Sequence, residues 1–154
     1  MSIAEILVLG PGEGRTVSVM GDHYTLKALG GHTRGAWSLT EVGATPGAPG
    51  PPPHIHENEE EAFYVLEGTV HVTIGAQTMN ASPGTFALVP RGTVHTFANP
   101  GPGPARLLVI ISPAGFEQAF VEMANVAPSG DQPPDMERLL AIARKYHLQI
   151  VTPP

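Results

Sequence analysis

The sequence contains no cysteine. Disulfides, thiolate metal ligands and cysteine nucleophiles are excluded together, which leaves nitrogen and oxygen donors for any metal. Basic residues are also scarce: eight Lys and Arg, scattered but for the adjacent Arg144 and Lys145, stand against fourteen Asp and Glu and leave a formal charge of −6. Such a chain has no basic surface to follow a phosphate backbone, so no nucleic-acid partner is expected. No apolar run reaches the roughly 18 residues of a membrane-spanning helix. Met1-Ser2-Ile3-Ala4-Glu5 lacks the basic region and apolar core of a secretory leader. No membrane association is expected, and the expected location is cytoplasmic.

Glycine and proline are abundant, at 18 and 17 of 154 residues, beside a 42% hydrophobic share. That apolar share argues against a disordered chain, and in a many-stranded barrel the glycines and prolines are turns. A chain of this length suits one compact domain that buries roughly 68 to 70% of its extended surface, so no metal is needed merely to fold it. Strand-like runs fall at Ile3 to Leu9, Arg15 to Met20, Tyr24 to Leu29 and Ala36 to Val42, before a Gly-, Ala- and Pro-rich loop from Gly43 to Pro53. Later runs are Thr69 to Ile74, Thr85 to Val89, His95 to Asn99 and Arg106 to Ile111. Ala114 to Asn125 then has a helical pattern, and Asp135 is placed to cap a second helix with the stripe Met136, Leu139, Leu140 and Ala143. There is no internal repeat.

Two stretches carry the chemistry. In His54-Ile55-His56 a strand turns both imidazoles to one face while Ile55 turns away. Glu61 opens the β-prone run Glu61 to Leu66, which closes at Glu67-Gly68, so the acid enters from a neighbouring strand. Pro90-Arg91-Gly92 is a tight corner that sets His95 at the start of another. Three imidazoles and one carboxylate are the expected ligands of a divalent first-row metal. A register shift of one residue would exchange Glu61 for Glu60; Glu57, Glu59 and Glu60 otherwise read as a solvated acidic edge. By strand parity Phe63, Val65 and Phe97 share the face of Glu61 and His95 and are expected to line the substrate cavity. Trp37 and Tyr64 are candidates for stacking a substrate or for core packing. His23, His32, His71 and His147 receive no role.

These residues resemble the two cupin motifs. His54, His56, Glu61 and Gly68 fit G-x5-H-x-H-x3,4-E-x6-G, with Ala48 where the first glycine would fall and Gly47 and Gly50 nearby; Gly84, Pro90, Gly92, His95 and Asn99 fit G-x5-P-x-G-x2-H-x3-N in full. Asn99 takes a structural role. The resemblance implies a mainly β fold, the cupin double-stranded β-helix or antiparallel jelly-roll barrel, with short C-terminal helices. One cupin domain is expected over residues 1–154, its barrel core at about 36–112 and a helical extension at about 114–148. The resemblance further implies one divalent ion per chain (manganese, iron, cobalt, nickel, copper or zinc) on His54, His56, Glu61 and His95, and a homodimer. Pro51-Pro52-Pro53-His54-Ile55-His56, with Glu61 to Gly68, is most similar to bacterial single-domain cupins of the quercetin 2,3-dioxygenase-like kind.

That likeness implies a metal-dependent dioxygenase acting on an aromatic or enolic small molecule, with Glu61 as ligand and catalytic base and dioxygen as co-substrate. A barrel that holds metal and ligand without turnover is the alternative from another class, with cupin isomerases and decarboxylases between them. Fold alone does not choose among these, because one scaffold hosts many chemistries.

Overall fold

Alternation between apolar and polar side chains turns one face of each central strand inward, and the burial of β3, Ser38–Ala44, alternates at every residue. The computed structural model describes residues 5–127 and 132–152. A hairpin of β1, Arg15–Val19, and β2, Asp22–Ala28, leads through the single turn α1, Gly30–Thr33, into β3. The short β4, His54–His56, is followed by β5, Glu60–Glu67, β6, Val70–Ile74, β7, Gln77–Ala81, β8, Phe86–Val89, β9, His95–Ala98, and β10, Ala105–Ser112. Two helices, α2, Glu117–Val126, and α3, Met136–Lys145, precede a last strand, β11, Leu148–Ile150.

Among the described residues the strands form two antiparallel sheets, one of six in the order β1-β2-β3-β10-β5-β8 and one of five in the order β11-β4-β9-β6-β7. Val42, Phe63 and Leu107 of the first sheet meet Val70, Val72 and Phe97 of the second in one buried core. This is the mainly β jelly-roll architecture expected from the sequence, with short helices after it. Asn99 is tied into the loops at one end, its amide donating to Ala44 O at 2.8 Å and Gly103 O at 2.9 Å and its oxygen accepting from Gly101 N.

Four sequence readings change. The run Ile3 to Leu9 forms no strand over residues 5–9, where Ile6 and Val8 are 88% and 82% exposed; residues 3 and 4 lie outside the described residues. Apolar alternation gives a segment strand propensity, but without a partner ladder it does not make a sheet. Strand β7 is missing from the sequence reading because Gln77-Thr78-Met79-Asn80-Ala81 is polar; it pairs with β6 from Val70↔Ala81 to Ile74↔Gln77. Strand β11 is missed because three residues carry no periodicity. The first helix begins at Glu117 rather than Ala114, while Asp135 caps α3 as expected, its carboxylate accepting from Arg138 N at 3.1 Å.

The shifted glycine of the first motif also has an explanation. Gly50 has φ +69°, and a Cβ there would run into the carbonyl of Phe97. The backbone of the entry loop is thus pressed against β9, which Thr96 secures by donating to Pro51 O at 2.6 Å.

Candidate metal centre

His54 and His56 sit on β4 with both side chains inward, at 7% and 3% exposure, and Ile55 faces the other way. β4 is held from both sides: it pairs with β9 at His54↔His95 and with β11 at Ile150↔His54 and Leu148↔His56. Glu61 follows from β5 and is buried at 5%, while Glu60 points outward to Arg91, whose Nε and Nη2 donate to its carboxylate at 2.9 and 2.6 Å. The strand period therefore settles the choice between neighbouring acids: Glu61 faces the histidines. The corner at Pro90–Gly92 is pinned by Gly92 N donating to His56 O at 3.0 Å, which brings His95 beside the first pair.

Donor atoms of His54, His56, Glu61 and His95 all lie within 4.8 Å of one another. Two of the rings are oriented from behind by the backbone: Nδ1 of His54 is 2.8 Å from Pro52 O, and Nδ1 of His95 is 3.0 Å from Thr93 O. An imidazole held by a carbonyl at Nδ1 presents Nε2 to the centre, the arrangement that fixes the tautomer of metal-ligating histidines. Glu61 Oε2 lies 2.6 Å from His95 Nε2 and 3.1 Å from His56 Nε2. Glu59, read from the sequence as solvated, instead turns a half-buried carboxylate to 3.4 Å from His56 Nδ1, although neither atom completes a hydrogen bond. Oriented nitrogen donors, one buried carboxylate and strand-mounted positions fit a divalent ion.

The electrostatics of the cluster are divided. Burial, and then the neighbouring His95, lower His54 to about 4, so it is neutral at physiological pH. Burial acts in the same direction on His56, but the carboxylates of Glu59 and Glu61 outweigh it and raise His56 to about 9. Glu61 would be pushed up by burial, yet hydrogen bonds from His56 and His95 hold it well below the ordinary carboxylate range.

The cluster borders a cavity of about 430 Å³, lined in part by His54, His56 and Glu61. Of the three side chains expected from parity, Phe97 is on its wall; Phe63 and Val65 are buried core residues at 2% and 1% exposure and are not on it. The strand period gives the face a side chain shares, not which part of that face borders a cavity. Trp37 and Tyr64 are 43% and 42% exposed and also stand outside it. The sequence reading missed Tyr24 of β2 and Phe116, Phe120 and Met123 beside or within α2, all of which line the cavity. Phe116 meets His56 edge-on at a centroid distance of 4.4 Å. Their helical apolar stripe was visible in the sequence; its target was not.

The cupin-domain family model matches residues 41–111, the span that contains all four clustered side chains. The matched stretch is a cupin domain. An RmlC-like cupin from Shewanella frigidimarina shares the fold, with a TM-score of 0.63 at 20% identity over 74% of this chain and 96% of that one. The polyketide cyclase RemF from Streptomyces resistomycificus aligns at a TM-score of 0.61 and 25% identity, covering 70% of this cupin and 80% of RemF. Quercetin 2,3-dioxygenase from Bacillus subtilis is 27% identical over 105 residues, 65% of this cupin and 31% of the dioxygenase. This cupin spans less than two thirds of the length of each curated relative it matches.

Proposed function

We propose that this cupin is a metal-dependent enzyme that binds an aromatic or enolic small molecule in its apolar cavity, and that its reaction is a dioxygenation of the quercetinase kind. The observation that carries the reading is the buried group of His54, His56, Glu61 and His95, three of which line a cavity of about 430 Å³, within the usual range for small-molecule sites. His54, His56, His95 and Glu61 would hold one divalent ion. Bound there, the ion supplies a Lewis acid that favours the deprotonated form of an enol or phenol. The rest of the work belongs to the chain. Glu61 is the base within reach of a substrate hydroxyl. Phe97, Val109 and Phe116 exclude water and hold the ring system against the cluster. In a dioxygenation both oxygen atoms enter the product and no external reductant is consumed. The proposed unit is one cupin domain, acting as a homodimer in the cytoplasm.

The test begins with elemental analysis of untagged protein. Oxygen uptake is then followed with flavonols after reconstitution with manganese, iron, cobalt, nickel, copper or zinc. Metal-dependent uptake, lost in His56→Ala, is the expected result; no uptake with any ion would end the dioxygenase reading. The likeness to RemF favours a second reading, metal-assisted cyclisation of a polyketide-like enolate without oxygen, which would give product under anaerobic conditions. Ligand-induced thermal stabilisation with no turnover under either atmosphere would mark a binding module.

A further inference from the structure

The cavity has two walls of different origin. His54, His56, Glu61 and Phe97 lie within the family-matched span, whereas Tyr24, Phe120 and the side chains of α3 that also line the cavity lie outside it. Part of the wall that meets a substrate is therefore carried by sequence outside the stretch that carries the metal cluster. Tyr24 stands out on the second wall. It is 6% exposed, and its ring stacks on Phe120 at a centroid distance of 4.6 Å and an interplanar angle of 28°.

The polar lining side chains elsewhere are engaged. Thr96 donates to Pro51 O, His71 meets Asn80 Oδ1 at 2.8 Å on the exposed rim, and His54, His56 and Glu61 belong to the metal cluster. Among the described residues no such partner holds the Tyr24 hydroxyl, which is left available to a ligand. Burial above all, with the negative charges of Asp22 and Glu61 behind it, holds that phenol far above its ordinary pKa, so it stays a donor.

We infer that Tyr24, fixed by its stack on Phe120, is a specificity-determining residue: its hydroxyl donates a hydrogen bond to an oxygen of a planar, multi-ring hydroxyaromatic or enolic ligand. The inference rests on the cavity being the substrate site, and it deepens the proposed function by naming the side chain that distinguishes an oxygenated ring system from a hydrocarbon of the same outline. A site built to hydrogen-bond a ligand discriminates strongly against the analogue that lacks the partner.

The test uses the metal-loaded protein and two probes: 3-hydroxyflavone, followed by its own emission, and 2-phenylnaphthalene, a similar ring outline with no oxygen. Tyr24→Phe, which keeps the ring and the stack, is expected to weaken 3-hydroxyflavone about tenfold and leave the hydrocarbon unchanged, with metal content intact. Tyr24→Ala is expected to weaken both. Equal losses for the two probes in Tyr24→Phe, no loss for either, or a wild type that binds neither would overturn the inference. Oxygen uptake separates it from the proposed function. The selective binding loss without any uptake upholds Tyr24 and removes the dioxygenase, whereas uptake with unchanged binding in Tyr24→Phe does the reverse.

Discussion

Glu61 is met by imidazole nitrogen from His56 and His95, and its neighbour Glu60 differs from it in the way the strand turns it, outward to Arg91. His56→Ala or His95→Ala should remove most bound metal, measured by elemental analysis, while His147→Ala, at an exposed position, keeps it. Glu61→Gln keeps an oxygen donor but cannot take a proton, so turnover of an enolic substrate should fall by about 100-fold or more while some metal is retained. The proton held by His56 gives a third expectation. Its folded pKa is raised from 6.5 to about 9, so the stabilisation it supplies is full below 6.5 and is lost as pH rises through about 9. Protein stripped of metal should lose thermal stability across that interval. Metal uptake at pH 7.5 should release about one proton from this residue, read by calorimetry in buffers of different ionisation enthalpy. His54, already neutral near 4, contributes none. The four clustered residues were legible because a two-residue period and two motifs fix their faces; Tyr24 was not, because a tyrosine in an alternating strand reads as core until the helix opposite it is known.

At the scale of elements, α2 is fastened by a buried carboxylate. Glu117 is 2% exposed; Oε1 accepts from Gly30 N at 2.7 Å and Oε2 from Gly115 N at 2.6 Å, joining the start of the helix to α1. Glu117→Ala leaves two backbone N–H groups without their partner and should cost about 2–3 kcal/mol in urea unfolding, with Glu117→Gln losing less. Because Phe116 and Phe120 flank this anchor, the same change should loosen the cavity wall and weaken ligand binding while metal content holds. The sequence made the central strands readable through alternation, and α3 through its cap and stripe. It hid β7 and β11, whose strand character comes from neighbours that supply ladders rather than from their own residues.

At the scale of the whole molecule, the outer face of the six-stranded sheet is apolar where it ends. Tyr64 lies opposite Phe86 and Ala62 opposite Leu88, and Tyr64, Phe86 and Leu88 are 42%, 62% and 55% exposed on β5 and the edge strand β8. A second copy covering this edge fits the proposed homodimer, since an open apolar edge otherwise templates aggregation. Light scattering at micromolar concentration should give twice 16.1 kDa, and Phe86→Glu should shift the mass toward the single chain with metal content unchanged. A monomeric wild type would refute the dimer.

The three residues of β4 lean on β11, almost a hundred positions later, for two of their three pairings across from His54 and His56. During synthesis the His54–His56 pair therefore leaves the ribosome long before the strand that seats it. A nascent chain can offer an ion two histidines early, but the seat becomes rigid only after Ile150 has been added. Metal capture is in this sense a late event that reports β11 in its place: a protein halted after His147 should let its ion go to a chelator far faster than one that continues through β11.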